Sequence, residues 1–412
     1  MSAVNSPDTL PGLFKEVYSK LGLITAVPTW AICQDRFPFE RGEAIGDAYV
    51  VAVTLSKENG FTYAPSTGAN AVPASPTPIA ATIQHAKIQS YAIYLASQLA
   101  YSAAARAASQ GKAAFKSAYA AVLENMKFSH MYRLECSLLY GTSGIGIVSA
   151  NNAAGTLTIS EASFGTGIWA AGLVGAIVTA WDSTDATANQ VNGDLTITAV
   201  DVPNRKITVS GTSNSVVATN ILYFKNSRTS TAWNECAGLY KILTNTGLLF
   251  EIDASLYDSW RSQYLDCGGQ VSMTQIMKLA AECQSYGLEN ALLFIAPERF
   301  ADLASDEAAL RRYVDDGARA KRGPKTISFS MGGVDIEIMS HPLIKLGHAF
   351  LLPMDEVHRI GSTDVTMALP GSNEELTVQV YNLTAIEFRS MSDQGIFLEV
   401  PARAGLLDGI TS

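Results

Sequence analysis

The side chains able to do chemistry are few and poorly spaced for it. Histidines stand at 85, 130, 341, 348 and 358, and cysteines at 33, 136, 236, 267 and 283. No two histidines lie four apart on a helical pattern, HExxH is absent and no cysteines form CxxC, so neither a zinc-protease helix nor a zinc ribbon is encoded. His341 and His348 are seven apart, but Pro342 and strand-like surroundings deny them a shared helical face. His130 and Cys136, six apart in one helical run, point to different faces, and the remaining thiols read as small buried hydrophobes. There is no dinucleotide fingerprint, no P-loop and no Gly-x-Ser-x-Gly elbow. Glu124 and Glu135 share a helix face about 16 Å apart. That is too far to flank one glycosidic bond, which needs under about 10 Å. A meeting with Arg or Lys across an interface is the expectation for both. The one dense basic patch is Arg311-Arg312 followed by Arg319-Ala-Lys321-Arg322-Gly-Pro-Lys325. Carboxylates at 306, 307, 315 and 316 lie close to it and no aromatics interleave, so an inter-subunit salt-bridge strip or a solvated loop is favoured over phosphate contacts. No catalytic residue, metal ligand or cofactor follows from these patterns.

The elements around these residues are easier to read. Leu10, Leu13, Phe14, Val17, Tyr18 and Leu21 repeat at three and four, predicting a short amphipathic helix that Gly22 stops. So short a helix is marginal alone and needs a surface to lie against. Residues 45–63 alternate as a strand. From Tyr63 the chain carries Pro65, Pro73, Pro76 and Pro78, which excludes helix and central strand, and alternation returns from Ile83 to Ile93. Two strands joined by so long a loop form an arm that cannot bury itself; it is either mobile or laid on a neighbour. From about Ser97 to Tyr140 the pattern is helical, interrupted near Gly111, and the second half is apolar on more than one side. Residues 142–225 are rich in Thr, Ser and Gly, with alternating runs at Leu195–Val200, Lys206–Ser210 and Val216–Phe224, as in a small inserted β subdomain. Further on, Ser272 and Gln275 form a capping box, Pro297 opens another helix, and Gly332-Gly333 sits between two alternating runs as a hairpin turn.

Composition narrows the class. The 412 residues hold 29 Lys plus Arg against 38 Asp plus Glu, a net charge of −9. Only 16% are charged, against roughly 25% in ordinary soluble domains. A surface so poor in charge suits either contact with other copies or a large, well-buried monomer. No apolar run reaches the ~20 residues of a membrane span, and the N-terminus lacks the basic and apolar regions of a signal peptide. Sparse, odd-numbered cysteines suggest reduced thiols and cytosolic synthesis.

The order of these pieces resembles a tailed-phage major capsid protein of the HK97-like fold, over nearly the whole chain. The helix Leu10–Leu21 is similar to the N-terminal arm, and the strand–Pro-rich loop–strand at 50–95 to the extended E-loop. The run Met131-Tyr-Arg-Leu-Glu-Cys-Ser-Leu-Leu-Tyr-Gly141 resembles the end of the spine helix. Ile221-Leu-Tyr-Phe-Lys225 and Gly238-Leu-Tyr-Lys-Ile-Leu-Thr-Asn-Thr-Gly247 resemble members with a β-rich insertion. Leu292-Leu-Phe-Ile-Ala-Pro297 and Val334-Asp-Ile-Glu-Ile-Met-Ser-His-Pro342 are similar to axial-domain segments.

The resemblance implies an α+β chain with peripheral and axial domains. The arm would span 1–45, the E-loop hairpin 46–95, the spine helix 96–141, the β-rich insertion 142–230, a mainly axial region 231–380 and a return to the peripheral domain 381–412. It also implies hexamers and pentamers in an icosahedral shell enclosing double-stranded DNA without sequence recognition. A portal protein would sit at one vertex, with no enzyme activity, no cofactor and no membrane. Localisation would be the virion capsid after synthesis in the host cytoplasm. Because the chain opens directly at the arm, a separate scaffolding protein is implied. Contact with other subunits is expected at Leu13, Phe14, Val17, Tyr18, Tyr63, Pro65, Pro73, Pro76, Pro78, Glu124, Glu135, Arg311, Arg312, Arg319, Lys321 and Arg322. Some members crosslink an E-loop Lys to a neighbour's Asn; Lys57 and Asn382 are the nearest candidates, but residues 60–79 hold no Lys and no crosslink is expected. Two other readings compete: the shell of a cellular nanocompartment, and a soluble hydrolase with an unrecognised site.

Overall fold

The computed structural model describes residues 31–42, 44–45, 48–66, 77–101, 112–152, 155–170, 172–185, 188–211, 213, 215–305, 326–368, 377–379 and 385–411. The expected N-terminal helix and the basic cluster fall outside them.

The described chain starts with a short helix, α1 (Ile32–Arg36), and strands β1 (Phe39–Arg41), β2 (Ala44–Ile45), β3 (Ala48–Thr54) and β4 (Ile83–Ile88). β3 and β4 pair antiparallel from Tyr49↔Ile88 to Thr54↔Ile83, and β2 joins them at Tyr49. Next come β5 (Tyr91–Ala100) and the long helix α2 (Lys112–Tyr140). The expected helical run from Ser97 is corrected here. Residues 91–100 form a ten-pair antiparallel ladder with the C-terminal part of the chain, ending at Ala100↔Ala385. Tyr91, Ile93 and Leu95 supply the strand alternation, and the hydrogen-bonded partner outweighs the local helix preference of the Ala and Gln residues around them.

After α2 the chain builds β6 (Gly146–Asn152), β7 (Thr156–Ile159), helix α3 (Thr166–Ala170), β8 (Ile177–Trp181), β9 (Leu195–Asp201), β10 (Lys206–Ser210) and β11 (Ile221–Phe224). The six strands close into a barrel in the order β10-β7-β6-β11-β8-β9. Leu157, Ile159, Leu195, Ile197, Ile207 and Val209 alternate inward and are all buried. That leaves the Thr and Ser residues between them on the outside, and closure removes the exposed edges that so Thr-rich a sheet would present. The ends of this insertion meet: the Gly238 N–H donates to the Gly141 carbonyl at 3.0 Å. A Cβ on Gly238 would lie 2.5 Å from the Gly141 nitrogen, so the backbones approach this closely only because both residues lack side chains.

The remaining elements are α4 (Leu239–Leu243), β12 (Leu248–Leu249), β13 (Ile252–Asp253), β14 (Gln263–Gly269), α5 (Met273–Gln284), β15 (Asn290–Ile295), α6 (Pro297–Ser305), β16 (Thr326–Met331), β17 (Val334–Ser340), β18 (Ala349–Pro353), β19 (Val357–Thr366), β20 (Thr377–Gln379), β21 (Ala385–Leu398) and β22 (Gly405–Ile410). Ser272 caps α5 with the full capping box. Gly332 and Gly333, with φ of 58° and 97°, make the tight turn between β16 and β17. One mixed sheet runs β14-β22-β18-β15-β17-β16; a second sheet joins β1, β19, β21, β20 and β5. β19 pairs with β21 and not with the sheet holding β15, whose preceding strand β18 ends at Pro353. The C-terminal β22 lies outside the sheet of β21; it inserts between β14 and β18. Its Leu406, Leu407 and Ile410 are fully buried there, which fixes the last residues as core. No helix among the described residues is long and apolar enough to cross a membrane.

Candidate functional site

The hairpin β3–β4 continues beyond its regular strands: the Leu55 N–H donates to the Thr82 carbonyl at 2.8 Å, the Thr82 N–H to Ser56 Oγ at 2.8 Å, and the Asn59 N–H to the Ile79 carbonyl at 3.2 Å. The arm therefore extends as a paired ribbon to residue 59 at least. Along it Phe61, Tyr63, Ile79 and Ile83 are exposed, Tyr63 to 94%, as are Pro65 and Pro78. Four large apolar side chains held in water on one ribbon form a surface for contact rather than a core. Glu58, Phe61, Pro78 and Ile79 also line a shallow recess of about 380 Å³.

Of the other residues expected at subunit contacts, Glu124 is exposed on α2. Glu135 is a correction: it is fully buried within one chain, so no neighbouring subunit reaches it. Its Oε1 accepts the Cys33 N–H at 2.6 Å and faces His341 Nε2 at 3.1 Å, while Oε2 accepts from Gln34 Nε2 at 3.1 Å. The helical period put it on the face of Glu124, but α2 is covered all round at its C-terminal end. Three donors from α1 and from the turn after β17 satisfy the carboxylate. Leu13, Phe14, Val17, Tyr18, Pro73, Pro76, Arg311, Arg312, Arg319, Lys321 and Arg322 lie outside the described residues, as does Asn382.

Cys33, Glu135 and His341 bring three possible metal-ligand atoms within 4.8 Å of one another. Their hydrogen bonding is that of a latch, however. His341 Nδ1 accepts the Leu343 N–H at 3.2 Å, which leaves the ring proton on Nε2, directed at Glu135. Burial pushes the Cys33 thiol well up, so it keeps its proton. The cluster ties α1, α2 and the end of β17 together.

Three other histidines are likewise engaged. His130 sits between Ser390 Oγ at 2.9 Å and Ser392 Oγ at 2.8 Å, and burial lowers its pKa to about 4. His348 stacks on Tyr240 with ring centroids 4.5 Å apart, and His358 bridges Glu40 and Glu399 at 2.8 and 3.1 Å. Cys136, Cys236 and Cys283 are buried, with thiol pKa values raised by desolvation to about 12, 11 and 12. None of these is an activated nucleophile.

Buried Lys345 and Arg228 and half-buried Arg133 are among the charged groups that escaped the sequence reading. Lys345 Nζ donates to the Gly144 carbonyl at 2.9 Å and lies 4.1 Å from the Tyr140 ring centroid, and burial lowers its pKa to about 7. Arg228 is held between Trp181 and Trp233, 4.1 and 4.2 Å from their ring centroids, and pins the loop after β8. Arg133 lies against Phe224 at 3.2 Å. Arg133 carried a signal: it is the lone cation in the mostly apolar run 131–140 of a helix covered on several sides. Lys345 and Arg228 sit in loops whose burial no local pattern marks.

No family model matches the chain, and no curated protein matches it. Solved structures do. The capsid asymmetric unit of cyanophage A-1(L) superposes with a TM-score of 0.56 at 10% identity, covering 95% of each chain. The capsid of a native GTA particle gives 0.50 at 10% identity, covering 99% of this chain and 100% of that one. With a projecting hairpin, a long helix and two sheets in the same chain over essentially its full length, the protein has the α+β HK97-like capsid fold.

Proposed function

We propose that the chain is the major capsid protein of a tailed phage, assembling as hexamers and pentamers into an icosahedral shell around double-stranded DNA. The observation that carries this reading is the likeness in fold to a cyanophage capsid across 95% of both chains. The exposed ribbon supplies the physical means of assembly. Each of Phe61, Tyr63, Ile79 and Ile83 laid on a neighbouring copy would contribute about 1.5–3 kcal/mol of burial, repeated at every contact in a closed shell. A net charge of −9 suits a container that does not bind the phosphate backbone of its cargo. A separate scaffolding protein directs assembly, a portal protein occupies one vertex, and the chain, made in the host cytoplasm, ends in the virion. The test is electron microscopy of the expressed chain, alone and with its scaffolding partner. Closed shells of uniform diameter, or rings of five and six, are expected. A dispersed monomer that stays unassembled at high concentration sinks the proposal.

A further inference from the structure

A cleft of about 470 Å³ opens between β5, the C-terminal part of α2 and the mouth of the barrel where β11 ends. Arg133, on α2, is part of its lining, with the guanidinium over the Phe224 ring, 3.2 Å from carbon to centroid. Its Nη1 is buried and has no hydrogen-bond partner, and Ser227 Oγ, on the same wall, is buried and unpartnered too. Glu235 lines the cleft and accepts the Thr142 N–H at 2.8 Å; it lies near enough for its charge and that of Arg133 to favour each other, but no ion pair joins the two among the described residues. At the rim, Tyr94 is 72% exposed. A buried guanidinium nitrogen without an acceptor is costly unless one reaches it. A planar fork stacked on an aromatic face is oriented for two parallel bonds to a carboxylate, and the Ser227 hydroxyl adds one donor beside it.

We infer that this cleft is a carboxylate-binding pocket, with Arg133 as the anchoring residue, Phe224 as its orienting platform and Ser227 as an auxiliary donor. The carboxylate has two sources: an acidic side chain of a second copy, of which a chain with 38 Asp plus Glu offers many, or a small free dicarboxylate. The first source rests on the shell reading above; the pocket itself does not.

The test has two arms. In the first, glutarate is titrated into the unassembled full chain by calorimetry, with Arg133→Gln and Arg133→Met compared; Met keeps the stem that packs on Phe224. Saturable binding by the wild type, weakened at least tenfold in both variants while their melting temperatures stay close to wild type, is expected. No binding at 50 mM glutarate overturns the pocket, and so does equal binding in folded variants. Should both variants fail to fold, Ser227→Ala, expected to weaken binding about threefold to tenfold, decides in their place. In the second arm, a density map of assembled shells shows what sits within hydrogen-bond reach of Arg133 Nη1. A neighbour's Asp or Glu assigns the second copy as the source, and isolated density of a small dicarboxylate assigns a free ligand. A cleft holding neither overturns occupancy in the shell. Failure to assemble at all bears on the shell reading and leaves the first arm to decide the pocket.

Discussion

Lys345 is a residue whose environment works against its own chemistry. It is an ammonium enclosed by Tyr140 and the end of α2, with one carbonyl as its only hydrogen-bond acceptor among the described residues. Because burial lowers its folded-state pKa from 10.5 to about 7, the folded chain binds fewer protons than the unfolded chain between those values. Stability contributed at this site therefore rises as pH climbs from about 7 towards 10, and below 7 the cost of the buried charge is fully present. Thermal melts of the unassembled chain should show the midpoint rising from pH 7 to pH 9, and Lys345→Met should flatten that rise; an unchanged slope in the variant would refute the assignment. Glu235, raised by desolvation to about 7, acts in the opposite sense at lower pH. The folded chain holds its proton longer than the unfolded chain does, so stability from this group falls between about pH 4.5 and 7. The two effects occupy adjacent windows, which keeps the Lys345 slope separable.

At the scale of elements, the hairpin separates what holds the subunit together from what joins it to others. Phe61 and Tyr63 are 77% and 94% exposed and touch little of their own chain. Phe61→Ser with Tyr63→Ser should leave the unfolding midpoint of the unassembled chain within about 0.5 kcal/mol of wild type, as surface changes do, while abolishing closed shells by electron microscopy. Shells of normal yield from the double variant would show that the ribbon does not carry assembly. The hairpin was legible because its four prolines and flanking alternation are local signals, as were the α5 capping box and the Gly332-Gly333 turn. β5 was not: the residues from Ser97 to Ala100 suit a helix by themselves, and only the ladder to β21, nearly three hundred residues later, makes them strand. Glu135 failed as a surface residue for a related reason. Its partners Cys33, Gln34 and His341 lie about one hundred and two hundred residues away in sequence.

For the whole molecule, the barrel is an insertion whose two ends meet at Gly141 and Gly238 and which is tied to the segment after β17, where the Leu346 N–H donates to the Phe164 carbonyl at 2.9 Å and the Gly347 N–H to the Ala162 carbonyl at 3.0 Å, so the orientation of the subunit decides which face of a shell carries it. Residues 142–225 carry acids at 161, 182, 185, 194 and 201 against cations at 205, 206 and 225. An acidic, Thr-rich surface gains nothing from packed phosphate backbone and is well solvated. The barrel is therefore expected on the outer surface, and a density map placing it on the inner wall would refute this.

The sequence by itself determined what local physics can write: most of the strands and the capped helix α5, where turns need glycine, and an order of pieces that resembles a shell protein. The tertiary structure decided everything that depends on residues far apart meeting. It closed the six insertion strands into a barrel, drew the C-terminal strand into the middle of the first sheet and turned Glu135 inward. It also set Arg133 against Phe224 with an N–H left over. A periodic pattern records which side of an element is buried, but the partner that buries it is chosen by packing and hydrogen bonding across the whole chain.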